Sequence, residues 1–406
     1  MAWRNIWRNP TRSWVVIGAI ALGIWAAIAM TGFATGMMKS YISNAITHVV
    51  AHIQIHDPAF LEDKEVKYVL KDLPEVANVV AAQPGIKAVS TRTVVSAMLA
   101  SSQGVRGIQT KGVVPEQEAL VSLLDTKIVE GEFLSEAGKN PMLISRDLAE
   151  KLKLKLRSKV VLTFQDEHAE IVSAAFRVVG IYDTGNNPFD LANVFIRAND
   201  LNQLLLGAAA DSLGYPIAHE MAILLDETNQ VNSIATDLQK KLPHTKVQTY
   251  REVSPDLELY ESQMKTISMV YLTIIMLALI FGIINTMLMA VLERFRELGM
   301  LMAIGMNKLR VFLMIVLEAL LLGIVGAPLG IMLGAATIAY LKKYGLDMSM
   351  YAESLSNYGM SSIIYFDVDP AVYQQVAVAV VFTAVLASLY PAFKAIRLKP
   401  VEALGK

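Results

Sequence analysis

The chain has 406 residues, 54% of them hydrophobic and 18% charged, and a net charge of −1. Such an apolar excess belongs to a membrane protein. The absence of cysteine excludes disulfides, thiol catalysis and thiolate metal sites, and no basic patch interleaved with aromatics offers a nucleic-acid surface.

Residues 1–12 carry Arg4, Arg8 and Arg12 beside Trp3, Ile6 and Trp7. This composition predicts a short interfacial helix, because tryptophan and arginine both favour the headgroup layer. Residues 13–38 form the first of four apolar runs long enough to span a bilayer; the others are 266–292, 311–341 and 370–393. The first run is too long for a cleaved signal peptide and reads as an anchor. Helical spacing persists through residues 36–46 and reappears at 256–265, which predicts two stalk helices.

Between the stalks, residues 39–265 read as a large α+β domain. Strands are expected at 50–56, 87–99, 105–114, 159–164 and 171–181, and helices at 147–154 and 230–242. Residues 185–188 form a turn cluster. The domain holds 23 Lys and Arg against 29 Asp and Glu.

Eleven cations in the N-terminal flank, in loop 293–310 and in the tail 394–406 place these segments in the cytoplasm. Loop 342–369 and the large domain then lie outside.

Loop 293–310 is the most informative stretch. Glu293, Arg294, Arg296 and Glu297 precede Leu298, Gly299, Leu301, Ala303 and Gly305 between two spans. A compact, polar, helix-prone loop at this place is suited to receive a partner from the water side. Glu318 is the one charge inside a span, where it needs a partner. Either an arginine of the loop or a subunit interface would supply it. Gly326, Gly330 and Gly334 recur every four residues, as do Gly32 and Gly36, a spacing that lets helices approach closely. His48, His52 and His56 would share a face on a helix, but the alternation at 50–56 predicts a strand and argues against a metal site. No phosphate-binding Gly-x-x-x-x-Gly-Lys loop, Ser/His/Asp arrangement or His-Glu-x-x-His occurs. The expectation is a chain without enzymatic activity or cofactor of its own.

Three sets of motifs carry a resemblance. One is the opening Trp3-Arg4-Asn5-Ile6-Trp7-Arg8-Asn9-Pro10, and the second is Glu293-Arg294-Phe295-Arg296-Glu297-Leu298-Gly299 with Ala303-Ile304-Gly305. The third lies in the domain: Gly112 to Glu118, Gly131-Glu132-Phe133-Leu134 and Leu148 to Leu152. Together with the four-span layout, they resemble the permeases of the MacB/FtsX/LolCE-like (type VII) group of ABC transporters. The domain motifs look most like the lipoprotein-releasing LolC/LolE permeases. A glycine usual in that group is replaced by Ser158.

The resemblance implies a MacB-like periplasmic core and a bacterial inner-membrane location. It also implies a homo- or heterodimer of permeases and two copies of a separate ATPase that binds ATP and Mg. Residues Glu293, Arg294, Arg296 and Glu297 would pair with the ATPase, with Leu298 and Leu301 as apolar anchor. The expected activity is mechanotransmission that extracts lipoproteins. Met30, Phe33, Met37 and Met38 would touch the substrate, and Asn186, Pro188, an exposed Phe189 and Asp190 would dock a periplasmic carrier. Two alternatives remain open: MacB-like export through an outer-membrane partner, and FtsX-like activation of a cell-wall hydrolase.

Overall fold

The structure is a computed structural model describing residues 7–8, 10–134, 138–207, 210 and 216–397. The predicted interfacial helix falls largely outside the described residues. The chain divides into two units.

One unit is helical and comprises residues 1–38, 260–347 and 363–406. Its elements are α1 (Pro10–Asn44), α2 (Pro255–Glu293), α3 (Phe295–Ala303), α4 (Lys308–Tyr344) and α5 (Pro370–Ile396). Helices α1, α2, α4 and α5 are each long and apolar enough to cross a membrane. The predicted stalks are the continuations of α1 to Asn44 and of α2 back to Pro255.

The glycines of α4 have a partner that the sequence could not name. A Cβ at Gly330 would sit 2.7 Å from the Ala21 carbonyl oxygen and from Ile24 Cβ, and one at Gly334 would sit 2.9 Å from Ile28 Cβ. The stripe therefore seats α1, whose Ile17, Ile20, Ile24 and Ile28 are buried. With lipid as the alternative, apolar burial gives little drive, and close backbone approach supplies the packing. Gly32 and Gly36 serve the same purpose on α1, against Ile338 and the Tyr365–Phe366 backbone.

The second unit, residues 39–259 with 348–362, is α+β. Its strands are β1 (Ile53–His56), β2 (Ile86–Ser101), β3 (Gly104–Val113), β4 (Ile128–Gly131), β5 (Pro141–Ser145), β6 (Lys159–Gln165), β7 (Ile171–Tyr182), β8 (Asn193–Arg197), β9 (Glu220–Leu225) and β10 (Lys246–Thr249). They form one sheet in the order β10-β1-β9-β2-β3-β8-β5-β7-β4, with β6 joined to β2 and β7.

Three apolar clusters form on this sheet among the described residues, the third around Tyr182 and Phe195. Ile53, Ile55, Ile223 and Val247 gather with the helices Leu73–Ala81 and Val231–Lys241, while Leu99, Ile144, Phe176 and Ile196 gather with helices Arg146–Lys151 and Ala198–Leu206. Sixteen-residue β2 serves the first two, since its early half pairs with β9 and its later half with β6.

Two local expectations are corrected. The strand predicted from residue 50 begins at Ile53, because a π-helical turn, Ala45–Val50, ends at Ala51 with φ +59. The left-handed residue in the 154–160 stretch is Arg157 (φ +68), so Arg157, not Ser158, stands where a glycine fits most easily.

Candidate functional site

Helix α3 follows α2 after a single break. Arg294 leaves helical geometry (φ −100, ψ 19) yet accepts the Leu298 N–H at 3.0 Å, so α3 starts at an angle without an orphaned backbone group. Its far end closes with paired reverse hydrogen bonds, Met306 N–H to Leu301 oxygen and Gly305 N–H to Met302 oxygen. Gly305 takes φ +103, a left-handed cap that a glycine adopts without a Cβ clash. The Asn307 side chain then caps α4 by accepting the Leu309 N–H at 3.0 Å. Three successive stops thus isolate nine helical residues between two spans.

Arg294 does not face outward as expected. It is 8% exposed, and its Nη1 donates to Glu318 Oε1 at 3.1 Å and Oε2 at 3.4 Å. Of the two partners open to Glu318, the structure supplies the loop arginine. The reason is electrostatic: a carboxylate inside a span is costly without an opposite charge, and Arg294 at the α2–α3 break is close enough to provide one. Leu298 is likewise buried, against the expectation of a partner-facing anchor.

Beside this pair lies a cleft of about 330 Å³ whose walls include Met287, Met314 and Leu301. At its rim Glu297 accepts a hydrogen bond from Arg8. The Arg8 guanidinium holds the Glu297 carboxyl below the usual carboxylate range.

The outward face of α3 carries other residues. Glu293, Arg296, Ala303 and Gly305 are exposed, as are Met300 (50%) and Ile304 (79%). Met300 and Ile304 are four apart and share a face. The sequence reading missed them because both faces of α3 are apolar. Leu298 and Leu301 were as good an anchor by spacing alone.

The other predicted sites are placed as follows. Met30, Phe33, Met37 and Met38 are half-buried on α1, and the Phe33 ring packs against Phe366 at 5.6 Å. Phe189 is 7% exposed, not a surface residue. It lies in the short helix Asn187–Ala192, against Phe195 and among Tyr182, Leu143 and Val113. The helix forms because Asn186 caps it, accepting the Phe189 N–H, with Pro188 in its first turn.

Asp190 is also buried, accepting the Thr184 N–H at 3.0 Å and the Thr184 hydroxyl at 2.6 Å. Burial nevertheless pushes its carboxyl up to about 7. This region is covered from within the unit. Asn187 Nδ2 donates to Asn357 Oδ1 at 2.7 Å, and Asn44 Nδ2 donates to the Gly359 oxygen at 2.9 Å. A Cβ at Gly359 would come 2.8 Å from the Asn186 amide nitrogen.

The three histidines are spread over a π-helical turn, a loop and a strand. Each imidazole is engaged: His48 with the Ser122 oxygen, His52 with the Leu225 N–H and Thr228, and His56 with the His219 oxygen and Gln54.

A buried charge cluster was invisible in sequence. Arg92 on β2 is 2% exposed. Its Nε and Nη2 bind both oxygens of Glu118, at 2.9 and 2.8 Å, and its Nη1 reaches Glu220 at 2.6 Å. Lys111 on β3 is buried nearby, and burial lowers its ammonium to about 8. Burial opposes ionisation of Glu220, but Arg92 and Lys111 outweigh it and hold the carboxyl down to about 2. No motif announces this set. The four residues come from three strands and the helix Pro115–Ser122, and only the sheet register brings Arg92 opposite Glu220.

Comparison with known proteins follows this division. Residues 13–241 match the MacB-like periplasmic core domain, and residues 269–400 match the FtsX-like permease C-terminal domain. The chain belongs to the MacB/FtsX/LolCE-like family of ABC transporter permeases. It is 23% identical over 407 residues to the lipoprotein-releasing system transmembrane protein LolC of Neisseria meningitidis serogroup B, covering 96% of this chain and 93% of that one. It is 25% identical to the pyoverdine export ATP-binding/permease protein PvdT of Pseudomonas savastanoi pv. phaseolicola, covering 99% of this chain but 58% of that protein. Among solved structures, the periplasmic region of MacB from Actinobacillus actinomycetemcomitans is 13% identical with a TM-score of 0.35, covering 54% of this chain and 97% of that one. This permease is therefore a multi-pass membrane protein with an α+β domain of the periplasmic-core type.

Proposed function

We propose that this permease passes the strokes of a separate ABC ATPase, two copies per permease dimer, to its periplasmic domain, and that the work extracts lipoproteins from the inner membrane. The observation that carries the reading is α3: a capped nine-residue helix anchored inward by Arg294–Glu318 and presenting Arg296, Met300, Ala303 and Ile304 outward. An apolar pair framed by charges is what a partner groove can grip, while the buried ion pair ties that grip to α4. The chain has no phosphate-binding loop, so nucleotide chemistry belongs to the partner. Lipoprotein as substrate rests on the likeness to LolC over nearly the whole of both chains. Both termini lie in the cytoplasm in this reading. Met30, Phe33, Met37 and Met38 offer adaptable thioether and aromatic contact to acyl chains. A periplasmic carrier would meet the domain elsewhere than at Phe189.

The test is co-purification of the permease with its ATPase, with ATP hydrolysis and bound ligand both measured. Ile304→Asp is expected to abolish ATPase association while membrane insertion stays intact; unchanged association would overturn the role of α3. Mass spectrometry of the wild-type complex should find a triacylated protein. A bound small molecule would favour export of the kind PvdT's name describes, and a bound hydrolase the third reading.

A further inference from the structure

One groove of the α+β unit departs from its surroundings in charge. It encloses about 800 Å³ and is lined by Lys139, Arg157, Lys159 and Arg177, with Glu132 the one acid among its described lining residues. The domain as a whole has the opposite balance, 29 acids against 23 bases. All four cations are exposed. None of them forms an ion pair with a described residue.

The backbone holds these charges together at a cost. Lys159 stands directly opposite Arg177 across the antiparallel β6–β7 ladder, and like charges in that position destabilise a sheet. Arg157 occupies the left-handed region at φ +68, which a Cβ disfavours. It is pinned there, because its N–H donates to the Val178 oxygen at 2.8 Å while Val178 N–H returns to the Ser158 oxygen at 3.0 Å. The neighbouring wall is fixed similarly: Asn140 Nδ2 donates to the Ala175 oxygen, and the Asn140 backbone carbonyl accepts the Arg177 N–H at 2.9 Å. The cations cannot relax apart by moving the backbone. A bound anion would offset their mutual repulsion.

We propose that this groove binds a phosphorylated anion. Two guanidinium groups, Arg157 and Arg177, suit the forked geometry of phosphate oxygens, and Lys139 and Lys159 add point charges. The volume lies within the range of small-ligand sites, about 300–1,000 Å³. An acidic peptide, which could add along the outer edge of the terminal strand β4, is the competing outcome of the test.

The test uses the full-length permease in detergent, titrated calorimetrically with inorganic pyrophosphate and separately with short-chain phosphatidylglycerol. Saturable binding that weakens with salt is expected, reduced roughly tenfold by each of Arg157→Gln and Arg177→Gln. Arg157→Gly separates charge from folding: glycine relieves the left-handed backbone, so thermal stability should hold or rise while anion affinity falls. Competition between the two probes would identify a lipid headgroup as the source, and binding of pyrophosphate alone a soluble phosphate ester. Three results would overturn the proposal: no saturable binding of either probe, equal binding by the Arg157→Gln/Arg177→Gln variant, or binding of a polyglutamate peptide alone.

Discussion

The permease buries charge in both of its units, and in different ways. In the periplasmic-core domain, Arg92 is held by three hydrogen bonds to two carboxylates, with Ser90 donating to Glu118 at 2.7 Å and Lys111 close by. In the helical unit, Arg294 donates to Glu318 through longer contacts of 3.1 and 3.4 Å. The first arrangement is redundant and joins elements of one sheet and its covering helix. The second joins a loop helix to a span. Short bonds within one sheet suit a fixed register, and longer contacts leave more room for movement. This contrast generates the following expectations.

The largest effect belongs to Arg92→Met. It leaves two buried carboxylates without their cation, and removing one partner of a buried pair costs about 3–5 kcal/mol. Urea unfolding of the domain signal in the full chain should shift accordingly; a shift typical of a surface substitution would show that the cluster is not a register lock. Glu318→Gln should act differently, with near-normal insertion and expression but loss of ATP hydrolysis by the bound ATPase. Arg294→Gln/Glu318→Gln should insert as well as Glu318→Gln and recover none of the activity. Recovery of ATP hydrolysis in the double variant would mean that the pair is merely structural.

Asp190 offers a pH-dependent comparison, being a buried carboxylate with no cation. Its folded-state value is raised from 3.8 to about 7, so the folded state binds the proton more tightly than the unfolded chain. This group's stabilisation is complete below about 3.8 and is lost as pH rises through about 7. Asp190→Asn should flatten the stability profile across that window, measured as the difference in unfolding midpoint between variant and wild type. A wild-type profile that already lacks this slope would refute the assignment. The smallest change expected is from Asn187→Ala, which removes one exposed hydrogen bond to Asn357 and should cost about 1 kcal/mol. Its use is to ask whether the cover over the Asn187–Ala192 helix matters to function, read as a loss of transport rate larger than this small stability change explains.

Much of this was legible in the chain itself. Four apolar runs, the charged island at 293–306 and the glycine stripe at 326, 330 and 334 follow from bilayer thickness, the cost of charge in lipid and helical periodicity. Long strands such as β2, β3, β6 and β7 were visible because β-branched residues cluster along them. What sequence order could not reveal is direction. Helix α3 has apolar residues on two faces, and only packing decides that Leu298 turns in and Ile304 out. Phe189 sits in a turn-like, polar stretch, yet a six-residue helix capped by Asn186 carries it into the core.

Local pattern, set by the solvent each segment must satisfy, therefore determined the four apolar spans and the place of the charged loop between two of them. Pairings across long sequence separations, Arg92 with Glu220, Arg294 with Glu318 and Gly330 with Ala21, were decided by tertiary structure. A charge or a glycine records that it needs a partner, but the partner's identity depends on which distant segment the fold brings within reach.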